Sequence, residues 1–383
     1  MKSLESYRAT GALVAINIAT FFNATCIGAL MVAVPLFAQS LGASTFEIGV
    51  IVGTVGLLGA FSSVPLGNLS DHLGRKKLLI QGLVLYVIIP LLYLSVKLPL
   101  LFLPLRALQG FIDPVVFNIP IVIASELGLM PGRAIGTTSS SLYLGLFVGP
   151  IVNGFLSIYS PSYTFLFCSL ISFFSLLLVS FFVPETLHTD SRSPTYPGLI
   201  VLKTLIKDKI LVSLCSVNFA RGMVWGLVFS QLIIFLRAVG MSEMSIGGMV
   251  STFLGLFTLI QVLTGKLAET IKEKQLLSIS SCILTVTFIA VPFTPEAFFW
   301  IISGTLGSFS GVMHVSALTL LIKRSPFKRG LTTTAYAAFW YIGYLISPIL
   351  SGYIAMFNPS ATYFFFAVMY IIIYFICKNL ESS

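Results

Sequence analysis

The sequence predicts an all-α membrane protein of twelve transmembrane helices, arranged as two pseudo-symmetric six-helix bundles. Three observations carry that prediction. Hydrophobic residues are 57% of the 383 and charged residues 9%, against roughly 45–50% and 25% in soluble domains. The apolar residues fall in about twelve runs of about 20, which suits a helix crossing a hydrocarbon core and is twice what a barrel strand needs. The chain also repeats itself. Gly67 to Leu79 has a weaker copy in Gly265 to Leu277, and Gly145 to Gly154 has one in Gly343 to Gly352, each shifted by 198 residues. Two matches at one shift indicate a duplicated membrane chain.

Taken in order, the spans of the first half lie near 11–38, 47–69, 77–96, 99–125, 133–158 and 163–183. Those of the second lie near 208–236, 244–267, 275–294, 296–322, 331–356 and 361–378. Between the halves, Pro184 to Pro197 is the longest polar stretch and reads as a linker. The expected organisation is a bundle over 1–187, a cytoplasmic linker over 188–204 and a second bundle over 205–383. The linker is too short for a domain. No Gly-x-x-x-x-Gly-Lys-Ser/Thr phosphate loop is present, which argues against work driven by the chain's own ATP hydrolysis.

The net charge of +9 has no basic face or arm that would suit nucleic acid. Of the 22 Lys and Arg, only Lys97 and Arg237 fall in odd-numbered loops, while Arg106 and Arg221 lie inside spans. The rest crowd the even-numbered loops and termini, which puts both termini in the cytoplasm by the positive-inside rule. The five cysteines, Cys26, Cys168, Cys215, Cys282 and Cys377, are scattered through or beside apolar runs, with no Cys-x-x-Cys pair. Neither a disulfide framework nor a metal site is expected, and no cofactor. The first apolar run is too long for a signal peptide's core and leads straight into further spans.

Four sets of polar or small residues stand out against this background. The first is the knot Gly67-x-Leu69-x-Asp71-x-x-Gly74-Arg75-Lys76, expected to turn at the membrane face. Gly67 would let two helices approach closely, Asp71 would accept from a helix N-terminus or face a cation, and Arg75 and Lys76 would hold anionic lipid. The second is Arg106-Ala107-Leu108-Gln109-Gly110 in span four. An arginine there costs at least about 2.5 kcal/mol on insertion scales, so it should face inward and have a partner. Asp113 lies seven residues on, on the same helix face. The third is Gly145-x-x-x-Gly149-Pro150-x-x-x-Gly154 in span five, a smooth groove with a bend. The last comprises the scattered polar groups Asn17, Asn23, Asn118, Asn218, Arg221, Gln231, Gln261 and His314. Arg221 should find Asp113, a substrate anion or a broken helix's carbonyl. His314 could titrate near neutral pH or simply hydrogen-bond. Trp225, Phe339, Trp340, Tyr341 and Tyr344 could line a cavity, or serve as lipid-facing bulk and interface anchors, the reading favoured for most of them.

Twelve spans, a central linker and the knot together resemble the major facilitator superfamily along the whole chain. Gly67, Leu69, Asp71, Gly74, Arg75 and Lys76 match its loop signature without departure. Arg106, Gln109 and Gly110 are similar to its fourth-span motif, departing at Asp113-Pro114. Gly145, Gly149, Pro150 and Gly154 look like the fifth-span motif of drug/proton antiporters, with Asn153 a mild departure. The resemblance implies a secondary transporter, working by rocking of the halves about a midplane site. It implies that Asp71 locks the halves on the cytoplasmic side, that Arg106 takes part in proton coupling, and that the span-five groove suppresses leakage. On this reading Asp113, Arg106 and His314 are the candidate proton-coupling groups. Asn23, Gln109, Asn118, Arg221, Gln231, Trp225 and Trp340 are the candidate substrate-cavity residues. The expected activity is proton-coupled efflux of a small organic compound by a monomer in the plasma membrane. The alternative is uptake of an organic anion or other small metabolite by proton symport or facilitated diffusion. A non-transporting receptor of the same fold has less support, since such proteins tend to carry long cytoplasmic extensions, which are not expected here. An enzyme has still less, since no nucleophile–base pair or metal cluster is seen.

Overall fold

The computed structural model describes residues 2–127, 130–187, 208–267, 271–324 and 329–380, with side chains except for 2–8, 64, 266, 267 and 329–335. The expected linker at 188–204 and Glu269 of the second knot lie outside the described residues. Among those residues, twelve helices are long and apolar enough to cross a membrane. They are α1 (Lys2–Ser40), α2 (Thr45–Leu73), α3 (Arg75–Tyr93), α4 (Phe102–Glu126), α5 (Pro131–Ser157) and α6 (Pro161–Phe182). The second six are α7 (Lys209–Ala238, with a π turn at Val228–Leu232), α8 (Glu243–Leu267), α9 (Glu273–Ala290), α10 (Phe299–Arg324), α11 (Arg329–Phe357) and α12 (Pro359–Lys378).

Each predicted run is a helix, because in lipid every backbone group must be satisfied within its own segment. The polar knot departs from expectation. It is helical rather than looped, with α2 running to Leu73 and α3 starting at Arg75, so a single residue makes the turn. Gly74 does this at φ 101°, a conformation that a side chain would resist.

The 198-residue shift reappears in the turns. Gly42 and Gly240, both at positive φ, end α1 and α7. Ser44 and Ser242 accept from the amides of Glu47 and Ser245 at the starts of α2 and α8, each at 3.2 Å. Ser160 and Asn358 cap α6 and α12, each followed by a proline.

It reappears in the packing as well. Added Cβ atoms at Gly28 and Gly226 would stand 2.6 and 3.0 Å from the carbonyls of Leu146 and Tyr344. Gly145 and Gly343 lie against the carbonyls of Phe21 and Phe219. Thr164 donates to Asn153 (3.0 Å) and Thr362 to the Ser351 carbonyl (3.3 Å), tying span five to six and eleven to twelve. Lipid supplies no hydrophobic drive between helices, so small residues that let backbones touch, and hydrogen bonds across them, hold such bundles together.

Two compact units result. One comprises Met1–Gly42, Leu57–Ser193 and Ser242–Ser251; the other comprises Ala43–Gly56, Pro194–Met241 and Thr252–Ser383. In the first, α1 packs on α5 and α6, and α3 on α4 and α6. In the second, α7 packs on α10 and α11, and α9 on α10 and α12. The first turns of α2 lie in the second unit, where Gly49 meets the Pro348 carbonyl and Thr45 donates to the Gly352 carbonyl at 2.9 Å. The first turns of α8 lie in the first unit, where Gly247 meets the Pro150 carbonyl and Ser251 donates to the Phe147 carbonyl at 2.7 Å.

Candidate functional site

Around the Gly74 turn, the side chains form a polar cluster. Arg75 pairs with Asp71 on the preceding helix end (3.0 Å) and, through Nε, with Glu126 at the end of α4 (2.7 Å). Glu126 also accepts from the Thr186 hydroxyl at 2.7 Å. Glu185 Oε1 accepts from the backbone amides of Arg75 (2.8 Å) and Lys76 (3.4 Å), the first two residues of α3. Lys76 Nζ donates to the Ser180 carbonyl at 2.8 Å. A carboxylate on exposed helix amides is favourable by charge and by hydrogen bonding.

The sequence reading assigned Glu185 only to a stretch of changed composition; its role as a cap on another helix is visible only in three dimensions. Among the described residues nothing lies within 4 Å of a Cβ added at Gly67, so close helix approach does not explain that glycine. The second unit holds a counterpart with reversed charge. Glu273 opens α9 and pairs with Lys323 at the end of α10 at 2.6 Å. Replacing Glu185 with alanine is expected to destabilise the fold by about 1 kcal/mol, in the range of lost helix caps. Glutamine, which keeps an acceptor, should recover part of it. Thermal unfolding of the purified variants checks this, and alanine matching wild type would remove the cap assignment.

Within the first unit, Arg106 and Gln109 are each 2% exposed. Arg106 Nη1 donates to Gln109 Oε1 at 2.9 Å, and the Tyr93 hydroxyl donates to the same oxygen at 3.1 Å. Gln109 Nε2 donates to the Tyr86 oxygen at 3.4 Å, and Tyr86 donates to Asp113 Oδ1. Arginine and carboxylate, drawn together by the sequence as face-sharing residues, are thus bridged by an amide and a phenol. Tyr86 and Tyr93 were not singled out from the sequence. Their signal was their spacing of seven, the same as that of Arg106 and Asp113. Asn23 is buried, its Oδ1 has no partner among the described residues, and it lines a small cavity with Thr20, Leu83, Val116 and Pro120. Asn118 is exposed on α4 and joins neither group.

The span-five residues divide by neighbour. Gly145 and Gly149 pack on α1, against Phe21 and Thr25, and Gly154 packs on Met244 at the start of α8, with Pro150 inside the helix.

The second unit gathers aromatic rings. Trp225 of α7 lies 5.5 Å from Phe253 and 5.0 Å from Phe257 of α8, both edge-on, and 5.7 Å from Trp340 of α11. Trp340 stacks on Tyr344 at 5.3 Å, and Phe257 sits 6.2 Å from His314 of α10. Trp225 and Tyr344 are 6% and 4% exposed. They therefore belong to the interior, where the lipid-facing reading of these aromatics does not hold. Arg221 is held by Asn218 Oδ1, from Nε (3.0 Å) and Nη2 (2.8 Å), with its guanidinium 5.8 Å from the Trp340 ring centre. Asn218 in turn donates to the Tyr336 carbonyl at 2.7 Å. Gln231 does not join this group. It sits in the π turn of α7 and donates to the Thr45 carbonyl at 2.9 Å, tying α7 to the start of α2.

Comparison with known proteins agrees with this architecture. The Major Facilitator Superfamily model matches residues 16–236 and 214–378. Multidrug resistance protein MdtG of Proteus mirabilis is 25% identical over 365 residues, 91% of this chain and 89% of that one. An uncharacterised MFS-type transporter of Methanocaldococcus jannaschii is 25% identical over 262 residues, 66% of this chain and 67% of its own. Among solved structures, the nucleoside transporter NupG aligns with a TM-score of 0.83 at 13% identity, covering 97% of this chain and 99% of that one. A bacterial homologue of the human lysosomal transporter Spinster, inward-facing and unoccupied, aligns with a TM-score of 0.76 at 14% identity, covering 98% and 99%. Likenesses at that identity speak for the fold alone. With the family model matching both halves, the chain belongs to the major facilitator superfamily.

Proposed function

We propose that the chain is a proton-coupled secondary transporter that exports a small organic compound across the plasma membrane by alternating access. The observation that carries this reading is the chain of contacts from Arg106 through Gln109 and Tyr86 to Asp113. A transporter driven by protons must load and release one within the membrane, and Asp113 is a carboxyl inside a span. In its ionised form it accepts from Tyr86. Once protonated it gains a donor of its own, while its other oxygen can still accept from Tyr86, to which Gln109 already donates. Loading a proton thereby removes a charge from, and adds a donor to, a network that joins α3 to α4. Ionisable residues in spans mark such relays by default. The likeness to multidrug resistance protein MdtG supports the export direction.

A second reading, uptake of an organic anion with protons, draws on the second buried cation, Arg221, held 7% exposed in the other unit. Proteoliposomes with an imposed pH gradient separate the readings. Export predicts substrate movement against the proton flow, and uptake predicts movement with it. Flux indifferent to the gradient would remove proton coupling altogether.

A further inference from the structure

We infer that the aromatic cluster of the second unit is a binding site for a planar aromatic molecule carrying an anionic or acceptor-rich group. The inference deepens the transport reading, in either direction, by naming a substrate class, and it rests on that reading.

Two observations point to a ligand. Trp225 Nε1, Trp340 Nε1 and His314 Nδ1 are all buried without a hydrogen-bond partner among the described residues. Buried polar atoms in native proteins are nearly always paired, so three gathered in one cluster call for partners beyond the described residues. They come from α7, α10 and α11, yet one set of ring contacts connects them, from Trp340 to Trp225 and through Phe257 to His314. Leaving such buried groups unpaired costs free energy that a ligand able to pair with them would recover.

The chemistry of these atoms selects the ligand. An indole N–H can only donate, so two of the three positions demand an acceptor. Arg221 adds a positive charge beside the Trp340 ring, where its guanidinium already faces the π-cloud a lipophilic cation would seek. Phe253 and Phe257, buried edge-on against Trp225, make the surroundings of these groups apolar. A planar ring can stack among these side chains while its carboxylate, phenolate or carbonyl oxygens meet the donors. A cation meets donors and a like charge instead.

The test uses the full chain in lipid nanodiscs and equilibrium dialysis of radiolabelled 2-naphthoate, with N-methylquinolinium as a planar cation of the same size. Saturable 2-naphthoate binding is expected, weakened about tenfold or more by Arg221→Gln, which removes a charge-assisted contact. Trp340→Phe, which keeps a ring and removes one donor, should weaken it several-fold, and the cation should not displace the anion. Monodisperse elution and unchanged helicity show that each variant is folded. The proposal is overturned if 2-naphthoate does not bind saturably, if both folded variants bind it as wild type does, or if the cation displaces it equally well. Proteoliposome flux keeps the two readings apart. Proton-driven movement of the cation without 2-naphthoate binding overturns this site and leaves the transport reading intact. Arg221-dependent binding, with no proton-driven flux of either compound, keeps the site and removes the transport reading.

Discussion

Asp113→Asn is expected to abolish substrate accumulation driven by a pH gradient while leaving counterflow exchange of substrate in place. Asparagine keeps the shape of the side chain and an acceptor oxygen for the Tyr86 hydroxyl, so the contacts of α3 with α4 survive. It cannot take or release a proton, so the driven step fails and the passive exchange step does not. Arg106→Ala should be more damaging. It removes the donor to Gln109 Oε1 and leaves a carboxyl without its balancing cation in a site of low dielectric. Losing a hydrogen bond made by a charged donor costs about 1.5–3 kcal/mol. Lower yield of folded protein should therefore accompany loss of both driven flux and exchange. Gradient-driven accumulation at wild-type rate in Asp113→Asn would make Asp113 structural, and His314, half-buried in the second unit, would be the next group to examine.

The second large effect concerns packing. Gly145→Ala and Gly343→Ala should each destabilise the protein by about 1–3 kcal/mol, the usual cost of overpacking a tight contact. The added methyl would fall within contact distance of the carbonyls of Phe21 and Phe219, which are backbone atoms that cannot swing aside. Gly136→Ala in the same α5 helix is the control, since nothing among the described residues lies within 4 Å of its Cβ position. There alanine should be neutral or stabilising by up to about 1 kcal/mol, from helix propensity alone. One substitution in one helix thus destabilises at one position and not at the other. Thermal unfolding in detergent reads the difference, and equal stability of Gly145→Ala and Gly136→Ala would refute the close-contact argument.

How much of this was legible in advance differs from one feature to the next. The spans were legible because lipid forces long apolar runs into helices whatever their neighbours are. The duplication was legible from Gly67 and Gly265, and from Pro150 and Pro348, before any contact was known. The contacts extend it to pairs that no motif marked, such as Gly42 with Gly240 and Thr164 with Thr362. Arg106 and Asp113 stood out because charge is rare in a span. Tyr86 and Tyr93 did not, because a tyrosine in an apolar run is common and only its partner gives it meaning. Trp225 was named as a cavity candidate and Tyr344 was not, yet both are interior; an aromatic residue carries no mark of the direction it faces.

By itself, the sequence determined what depends on one helix at a time: the number of spans, their order, the repeat and the costly charges within them. The tertiary structure alone decided what depends on pairs of helices. It placed Glu185 on the amides of α3, set Gln109 and Tyr86 between Arg106 and Asp113, and brought Trp225, His314 and Trp340 into one cluster. The physical reason is one of range. Transfer into lipid is a sum over residues of one segment and leaves a pattern in that segment. A hydrogen bond or ring contact between segments depends on their separation and rotation, which no single run of residues encodes.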